Sequence, residues 1–188
     1  MTRAPEAAKR HIARGQLLGE ELALWRDDAG HVNVWANQCP HRGVRLSIGS
    51  NFGDRLKCRY HGWEFTSGTA QCVAIPAHPD LVPGKPYRAR AFAAAEKYGY
   101  VWVNLGTGAG APSVPALDSG PFVTLRSIVI RATAAQVAER LLSEAAFAGT
   151  RAIDEFTLDA RIDEAGVPTV MLLQPLDAEV TALHAAAG

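Results

Sequence analysis

The sequence contains CPHRG at residues 39–43 and CRYHGW at residues 58–63, two segments built from the same ingredients. Together they follow the pattern C-x-H-x16-C-x2-H, so each segment offers one thiolate and one imidazole. A glycine lies just beyond each histidine, at Gly43 and Gly62, and lets the backbone curl tightly around a metal. The pattern therefore predicts two turns that close over a metal centre.

Two cysteines with two histidines are the ligand set of a Rieske-type [2Fe–2S] centre, in which the cysteines bind one iron and the histidines bind the other. We therefore predict one such cluster per chain, held by Cys39, His41, Cys58 and His61. Two thiolates cancel the net charge of two ferric ions and two sulfides, whereas four thiolates would leave it negative. An incoming electron thus meets less negative charge, and the reduction potential exceeds that of an all-cysteine cluster.

Other interpretations of these four residues compete with the cluster. A zinc site uses the same ligand types, but zinc modules usually show C-x2–4-C and H-x3–5-H halves and not these mixed halves. A disulfide between Cys39 and Cys58 would leave both histidines unexplained. Chance placement in a core is the least favoured interpretation, because ligand residues rarely fall at such paired spacings.

Short strands separated by turn signals run from about residue 16 to residue 106, which predicts a mainly β fold. The run at 18–26 is followed by Asp-Asp-Ala-Gly at 27–30 and then by the run at 31–36. This order is typical of a hairpin with a short loop. Residues 98–105 predict a further strand, because they are rich in aromatic and β-branched side chains.

The composition changes after residue 106. We predict a domain at 1–106, a linker at 107–121 that is dense in Gly, Pro and Ser, and a small α+β extension at 122–188. Thr133 and Gln136 form a capping box, which opens an Ala-rich helix that is expected to stop at Gly149. Strands of this extension are expected at 122–131, 153–162, 169–173 and 179–184.

Charge and hydropathy exclude several functional classes. The formal net charge is zero, so no basic excess attracts nucleic acid or an anionic membrane. No apolar run is long enough to cross a bilayer, and the basic N-terminus lacks the apolar segment of a secretory signal. Three cysteines make a poor disulfide framework. These features predict a cytoplasmic protein whose cysteines are free to bind metal.

The segments CPHRGVRLSIGS at 39–50, LKCRYHGWEFTSGTAQCVAIPAHP at 56–79 and GYVWV at 99–103 resemble the Rieske domain of ring-hydroxylating oxygenase α subunits. The resemblance to these Rieske non-haem iron oxygenases covers about residues 18–106. It implies a Rieske all-β domain with two cluster-binding loops. Rieske proteins of respiratory complexes carry an additional cysteine pair in the loops, which this sequence lacks, so the lower-potential oxygenase or ferredoxin type is implied.

The oxygenases of this family continue into a catalytic domain that binds a mononuclear iron through two histidines and a carboxylate. Residues 139–147 resemble the helix that carries those histidines, but Ala146 stands where the first histidine is expected. After His78 the only histidine is His184, and one histidine cannot make a two-histidine site. We therefore expect that this chain is not catalytic by itself.

The resemblance then implies an electron-transfer subunit of a multi-component oxygenase, which passes single electrons to a mononuclear iron on a catalytic partner subunit. We expect a hetero-oligomer with that subunit, supplied with electrons by an NAD(P)H-dependent reductase or a ferredoxin. Two alternatives stay open: the N-terminal part of a ring-hydroxylating oxygenase, and a free Rieske ferredoxin. Residues 122–188 would dock the partner, or would only be a remnant of the catalytic domain.

Several residues near the motif receive structural roles instead of ligand roles. Cys72 lies outside both loops and is expected to be a buried small residue, and His78 a loop residue. Arg42, Tyr60 and Trp63 are expected to surround the cluster and to tune it. For Trp63 the role of an ordinary core aromatic is equally consistent with the sequence.

Overall fold

The computed structural model describes residues 2–3, 10–84, 86–106, 110–112, 114, 130–143, 151–154, 157–161 and 168–172. The chain divides into two compact units, residues 1–113 and residues 114–188. Antiparallel strands dominate the described residues, which confirms the mainly β fold class. Among the described residues no helix has the length and apolar character that a bilayer crossing needs.

Besides the 3₁₀ helix Leu46–Ile48, the described part of the first unit contains ten strands. In chain order they are β1 (Thr2–Arg3), β2 (Ile12–Leu17), β3 (Glu20–Arg26), β4 (Val32–Ala36), β5 (Ser50–Asn51), β6 (Arg55–Lys57), β7 (Glu64–Thr66), β8 (Cys72–Ala74), β9 (Ala91–Lys97) and β10 (Tyr100–Asn104). A six-stranded sheet has the order β1-β10-β9-β4-β3-β2, and a four-stranded sheet has the order β5-β6-β7-β8. The predicted hairpin is confirmed as β3 and β4, and the predicted strand at 98–105 as β10.

The central strands of the six-stranded sheet bury both faces. Successive side chains of a strand point to opposite faces, so Ala23 and Trp25 of β3 face one core while Leu22 and Leu24 face another. Strand β4 repeats this alternation, since Trp35 packs with Trp25 at a ring distance of 5.1 Å. Two hydrophobic cores therefore share the same two strands.

One of these cores lies where residues of both sheets meet, and we call it the inter-sheet core. It contains Ile12, Ala23, Trp25, Trp35, Cys39, Leu46, Leu56, Cys58, Phe65, Ala70, Cys72, Ile75 and Ala89. Both cysteines of the sequence motif belong to it. The two predicted metal-binding segments are therefore anchored in the same packed interior, although they leave different sheets.

Polar contacts join the two sheets through their turns. The Ser67 hydroxyl, which follows β7, donates to a carboxylate oxygen of Asp27 at 2.7 Å. The buried Asn33 of β4 donates from Nδ2 to the Ser67 hydroxyl at 3.0 Å and accepts from the amide of Gly68 at 2.8 Å. These bonds fix the β3–β4 turn of one sheet against the β7–β8 turn of the other.

The second unit contains one described helix and one described sheet. The capping box is confirmed, since the Gln136 amide donates to the Thr133 hydroxyl at 3.2 Å and the Thr133 amide donates to the Gln136 side chain at 2.9 Å. It begins the helix α1 (Ala134–Ser143). The sheet has the order β11 (Arg151–Asp154), β12 (Thr157–Arg161) and β13 (Pro168–Leu172).

One expectation for this unit changes. The single strand expected at 153–162 is two strands, β11 and β12, because Asp154 pairs with Thr157 and the chain reverses between them. The strand expected at 169–173 is confirmed as β13. The expected strand at 179–184, the helix stop at Gly149 and all but the last two residues of the expected strand at 122–131 lie outside the described residues.

Candidate metal centre

The two motif segments form turns with the same backbone, the first turn at Cys39–Gly43 and the second turn at Cys58–Gly62. In each, the glycine amide donates to the cysteine carbonyl, at 2.8 Å in the first turn and 3.1 Å in the second. The cysteine amide donates to the carbonyl of the residue after the glycine, at 2.8 Å in both turns. The glycines have φ values of 72° and 70°, a left-handed conformation that favours glycine.

Both turns place their cysteine in the inter-sheet core. Cys39 is 3% exposed and Cys58 is 2% exposed. Burial raises the pKa of Cys39 to about 11, and the neighbouring Cys58 thiol also raises it, while the backbone amides of His41 and Arg42 partly oppose this shift. A bound cation favours the thiolate form that coordinates iron, so it would offset the cost of ionising the buried Cys39 thiol.

The histidines form a second pair of donors. His41 Nδ1 and His61 Nδ1 lie 3.2 Å apart, so the same ring nitrogen of each residue faces the other. The His41 ring is half-buried and stacks on Trp63, with ring centres 4.5 Å apart and planes within 8°. The His61 ring is exposed and lies 3.8 Å from the Tyr60 ring. Burial, then His61, then Arg42 lower the pKa of His41.

The donors therefore form two pairs, one of thiols and one of imidazoles. In the described part of the chain, no three His, Cys, Asp or Glu side chains gather at one point. A Rieske-type cluster needs two protein ligands on each iron, in addition to its bridging sulfides. Its two cysteines bind one iron and its two histidines bind the other. The residues present thus fit a [2Fe–2S] group.

The other residues singled out in the sequence fall partly as expected. Cys72 is buried in β8, its thiol lies 3.5 Å from the carbonyl of Ala74, and burial raises its pKa. His78 lies in a turn after β8. Trp63 does contact a predicted ligand, His41. Arg42 lies beside the predicted ligands, with an exposed side chain and a backbone amide that faces the Cys39 sulfur.

Three residues beside the turns received no role at the site from the sequence. Pro76 packs on the second turn, since a methyl group on Gly62 would lie 3.0 Å from its Cγ. Tyr87 packs on Trp63 with ring centres 5.8 Å apart. Arg59 occupies the second turn with an exposed side chain. A signal for Arg59 was available in the sequence. Both turns have the spacing Cys-x3-Gly, and aligning them on this spacing shows one arginine in each turn.

Known proteins share this part of the chain. The family model of the Rieske [2Fe-2S] domain matches residues 2–89. The oxidoreductase NdmD of Pseudomonas putida is 46% identical over 129 residues, which cover 66% of this chain and 22% of NdmD. The oxygenase subunit of 3-chlorobenzoate-3,4-dioxygenase from Comamonas testosteroni is 39% identical over 103 residues, which cover 54% of this chain and 24% of that subunit.

A solved structure also matches the fold. The crystal structure of dicamba monooxygenase with non-haem iron and dicamba superposes with a TM-score of 0.51 at 33% sequence identity, over 57% of this chain and 32% of that chain. The present chain spans less than a quarter of NdmD and about a quarter of the dioxygenase subunit. The family match decides between the cluster and zinc. Residues 2–89 are a Rieske [2Fe–2S] domain, and its cofactor is a [2Fe–2S] cluster.

Proposed function

We propose that Cys39 and Cys58 bind one iron of the cluster, that His41 and His61 bind the other, and that the chain is an electron-transfer subunit. The observation that carries this proposal is the pairing of the two Nδ1 atoms at 3.2 Å beside two buried thiols. When bound, the cluster accepts and releases one electron at a time. The side chains around the cluster determine through which surface it exchanges electrons with a partner.

The two donor pairs differ in their access to solvent, and this difference gives the site a direction. Both cysteines are buried, whereas His61 is exposed and His41 is half-buried. Because each Nδ1 faces the other ring, Nε2 is the nitrogen of each histidine that remains for a hydrogen bond to a partner. The backbone amides that face the Cys39 sulfur favour a negative charge there. Electrons therefore enter and leave on the histidine side.

The partner we propose is a catalytic Rieske-family oxygenase subunit that holds a mononuclear iron. The matched 3-chlorobenzoate-3,4-dioxygenase chain is named an oxygenase subunit, and the present 188 residues offer Ala146 where the family has its first iron-binding histidine. His184 is the only histidine after His78. An NAD(P)H-dependent reductase or a ferredoxin would reduce the chain, and the complex would be a cytoplasmic hetero-oligomer.

A second candidate is that the chain is the Rieske part of a longer oxygenase. The observation in its favour is that the matched region covers 32% of the dicamba monooxygenase chain, which is solved with non-haem iron. A free Rieske ferredoxin is the third candidate, and the compact first unit is consistent with it. These candidates differ in iron content and in partners.

The test is iron and labile-sulfide analysis of the purified chain, followed by copurification with a coexpressed oxygenase chain that keeps its own facial triad. We expect two irons and two sulfides per chain, a rhombic paramagnetic signal on reduction, and electron transfer to the catalytic chain. A third, mononuclear iron in this chain would favour the oxygenase candidate. A reduced chain that passes electrons to the oxygenase without stable association would favour the free ferredoxin.

A further inference from the structure

Two arginines flank the two histidines, and no carboxylate among the described residues pairs with either arginine. Arg42 lies in the first turn and Arg59 in the second, and both side chains are exposed. Within the described part of the chain, neither side chain forms an ion pair or a hydrogen bond. The histidine side of the domain therefore carries positive charge.

Four other cations of the first unit behave differently, because each lies within ion-pair distance of a carboxylate. The pairs are Arg45 with Glu21 at 2.8 Å, Arg55 with Glu64 at 2.6 Å, Lys57 with Glu64 at 3.2 Å and Arg90 with Glu20 at 3.6 Å. The chain as a whole has a formal net charge of zero. An attraction exerted by Arg42 and Arg59 is therefore a local property of this surface and not of the molecule.

Exposed apolar side chains lie beside the same histidines. Tyr60 is 58% exposed and contacts His61, and Tyr87 is 44% exposed and packs on Trp63. Pro76 is exposed against the second turn. Tyrosine and arginine are enriched where protein interfaces concentrate their binding energy. We name Arg42, Arg59, Tyr60, Pro76 and Tyr87, with the exposed histidine edges, the tip surface.

We propose that the tip surface docks an acidic protein face, one that places carboxylates opposite Arg42 and Arg59 while the imidazole edges meet the electron acceptor or donor. This inference rests on the proposed electron-transfer function and names the chemistry of its partner. Opposite charge steers the encounter and selects the partner, whereas the aromatic rim supplies apolar contact. Contact between the tip surfaces of two copies of this chain does not fit, since each would present the same two cations.

Small redox complexes of opposite charge test the tip surface on the cluster-loaded chain. Ferricyanide is an anion and tris(1,10-phenanthroline)cobalt(III) is a cation, and each oxidises the dithionite-reduced protein in a stopped-flow experiment. We expect the ferricyanide rate to fall as salt rises, and the cobalt rate to stay level or rise. We define the rate ratio as the ferricyanide rate divided by the cobalt rate. The double variant Arg42→Gln with Arg59→Gln should lower this ratio by about tenfold at roughly 0.1 M salt.

A charge-matched control is available at the other end of the six-stranded sheet. The Asn37 amide, two residues before the first turn, donates to the Glu21 carbonyl at 2.7 Å, whereas Ile12 pairs with Trp25 at the opposite end of β3. Arg10 precedes Ile12, and Lys97 ends β9 at that same far end. Seven strand residues separate the ends by roughly 20 Å. Arg10→Gln with Lys97→Gln should leave the rate ratio within about twofold of wild type.

A second measurement does not depend on the cluster. Retention on a carboxymethyl resin at pH 7 presents carboxylates directly to the folded protein. Arg42→Gln with Arg59→Gln should elute at lower salt than the Arg10→Gln, Lys97→Gln control, although both variants lose two positive charges. Arg42→Lys with Arg59→Lys keeps the charge and should restore both retention and the rate ratio. If the glutamine variant loses its cluster, this lysine variant and the retention measurement still test the proposal.

The outcomes separate this inference from the function on which it rests. Equal effects of the two double variants on rate ratio and retention would overturn the acidic partner, even if electrons still flow to both complexes. Tight binding of a DNA duplex to the tip surface at physiological salt would overturn it too, in favour of a nucleic-acid ligand. A cluster that neither complex can oxidise would instead contradict the electron-transfer function.

Discussion

The first turn and the second turn share a backbone but not their support. In both, a cysteine begins the turn and a left-handed glycine ends it, with the same pair of hydrogen bonds. The first turn follows β4 of the six-stranded sheet, whereas the second turn connects β6 and β7 of the four-stranded sheet. The histidine is the third residue of the first turn and the fourth of the second. The backbone thus places the cysteines equivalently and the histidines differently.

The difference in histidine position brings different neighbours. His41 is half-buried against the flat face of Trp63, which itself packs near Phe65 of the inter-sheet core. His61 is exposed, and besides His41 it contacts the tilted ring of Tyr60, which is itself largely exposed. Because the cysteines are equivalent, we expect cysteine variants of the two turns to behave alike. Because the histidines have different neighbours, we expect glycine and aromatic variants of the two turns to differ.

The largest expected effect is loss of the cluster on replacing either cysteine. Cys39→Ser and Cys58→Ser should each abolish the visible absorbance and the bound iron, because each removes a thiolate from the same position of its turn. Cys72→Ser is the matched control, since Cys72 is equally buried but lies in β8, and it should keep two irons per chain. A serine variant of one turn that keeps its cluster would break the equivalence of the turns.

Alanine at the two glycines should separate the turns by stability. Both positions have positive φ, which costs an L-residue about 1–2 kcal/mol. At Gly62 the added methyl group also meets Pro76 Cγ at 3.0 Å, whereas at Gly43 it meets only the end of the flexible Gln38 side chain at 3.3 Å. Gly62→Ala should therefore lower the free energy of unfolding by about 1 kcal/mol more than Gly43→Ala. Urea denaturation of both variants measures the difference, and equal losses would contradict it.

Removing the aromatic neighbours tests the support of the histidines. Trp63→Leu takes the stacked ring from His41 and should cost about 1 kcal/mol of stability and speed the release of iron to a chelator. Tyr60→Leu, the matched change beside the exposed His61, should cost less than about 0.5 kcal/mol and leave iron release near the wild-type rate. If Tyr60→Leu speeds release as much as Trp63→Leu, the two histidines are supported equally.

The parts of the fold that the sequence predicts are those with long or strongly local signals. The β3–β4 hairpin carries an Asp/Gly loop between apolar runs, and the capping box of Thr133 and Gln136 needs only four residues. The four-stranded sheet could not be predicted strand by strand, because strands of two or three residues are too short to show alternation. The reversal between β11 and β12 lacks a Gly or Pro signal in the sequence, so the two strands were expected as one.

The candidate site also has a part that the sequence predicts and a part that it does not. Ligand types and spacings predict the cluster and its four residues from sequence alone, and the ligand assignment itself stays a prediction. The stacking of Trp63 on His41 joins residues 22 positions apart, and Tyr87 reaches Trp63 from 24 positions away. No local pattern encodes such contacts, because they depend on how the two sheets are joined.

The smallest expected effect concerns the contact that joins the sheets of the two turns. Although burial opposes ionisation, the hydrogen bonds from Ser67 and His31 hold the pKa of Asp27 below its usual value. A depressed carboxyl pKa contributes stability above the unfolded pKa of about 3.9, and this stability is lost as the pH falls through the lower folded pKa. Asp27→Asn should therefore cost about 1 kcal/mol at pH 7, a deficit relative to wild type that shrinks below about pH 4.

Paired urea denaturation of wild type and Asp27→Asn between pH 3 and pH 7 measures this deficit, because protonation of the site residues affects both proteins alike. Asp54→Asn is the control, since Asp54 is exposed and paired only with its neighbour Arg55, and it should change stability by less than about 0.5 kcal/mol at every pH. The Asp27→Asn variant should also release iron slightly faster, because the sheets that carry the first turn and the second turn are then less firmly joined. A deficit that is constant over the whole pH range would assign the effect to packing and not to the charge on Asp27.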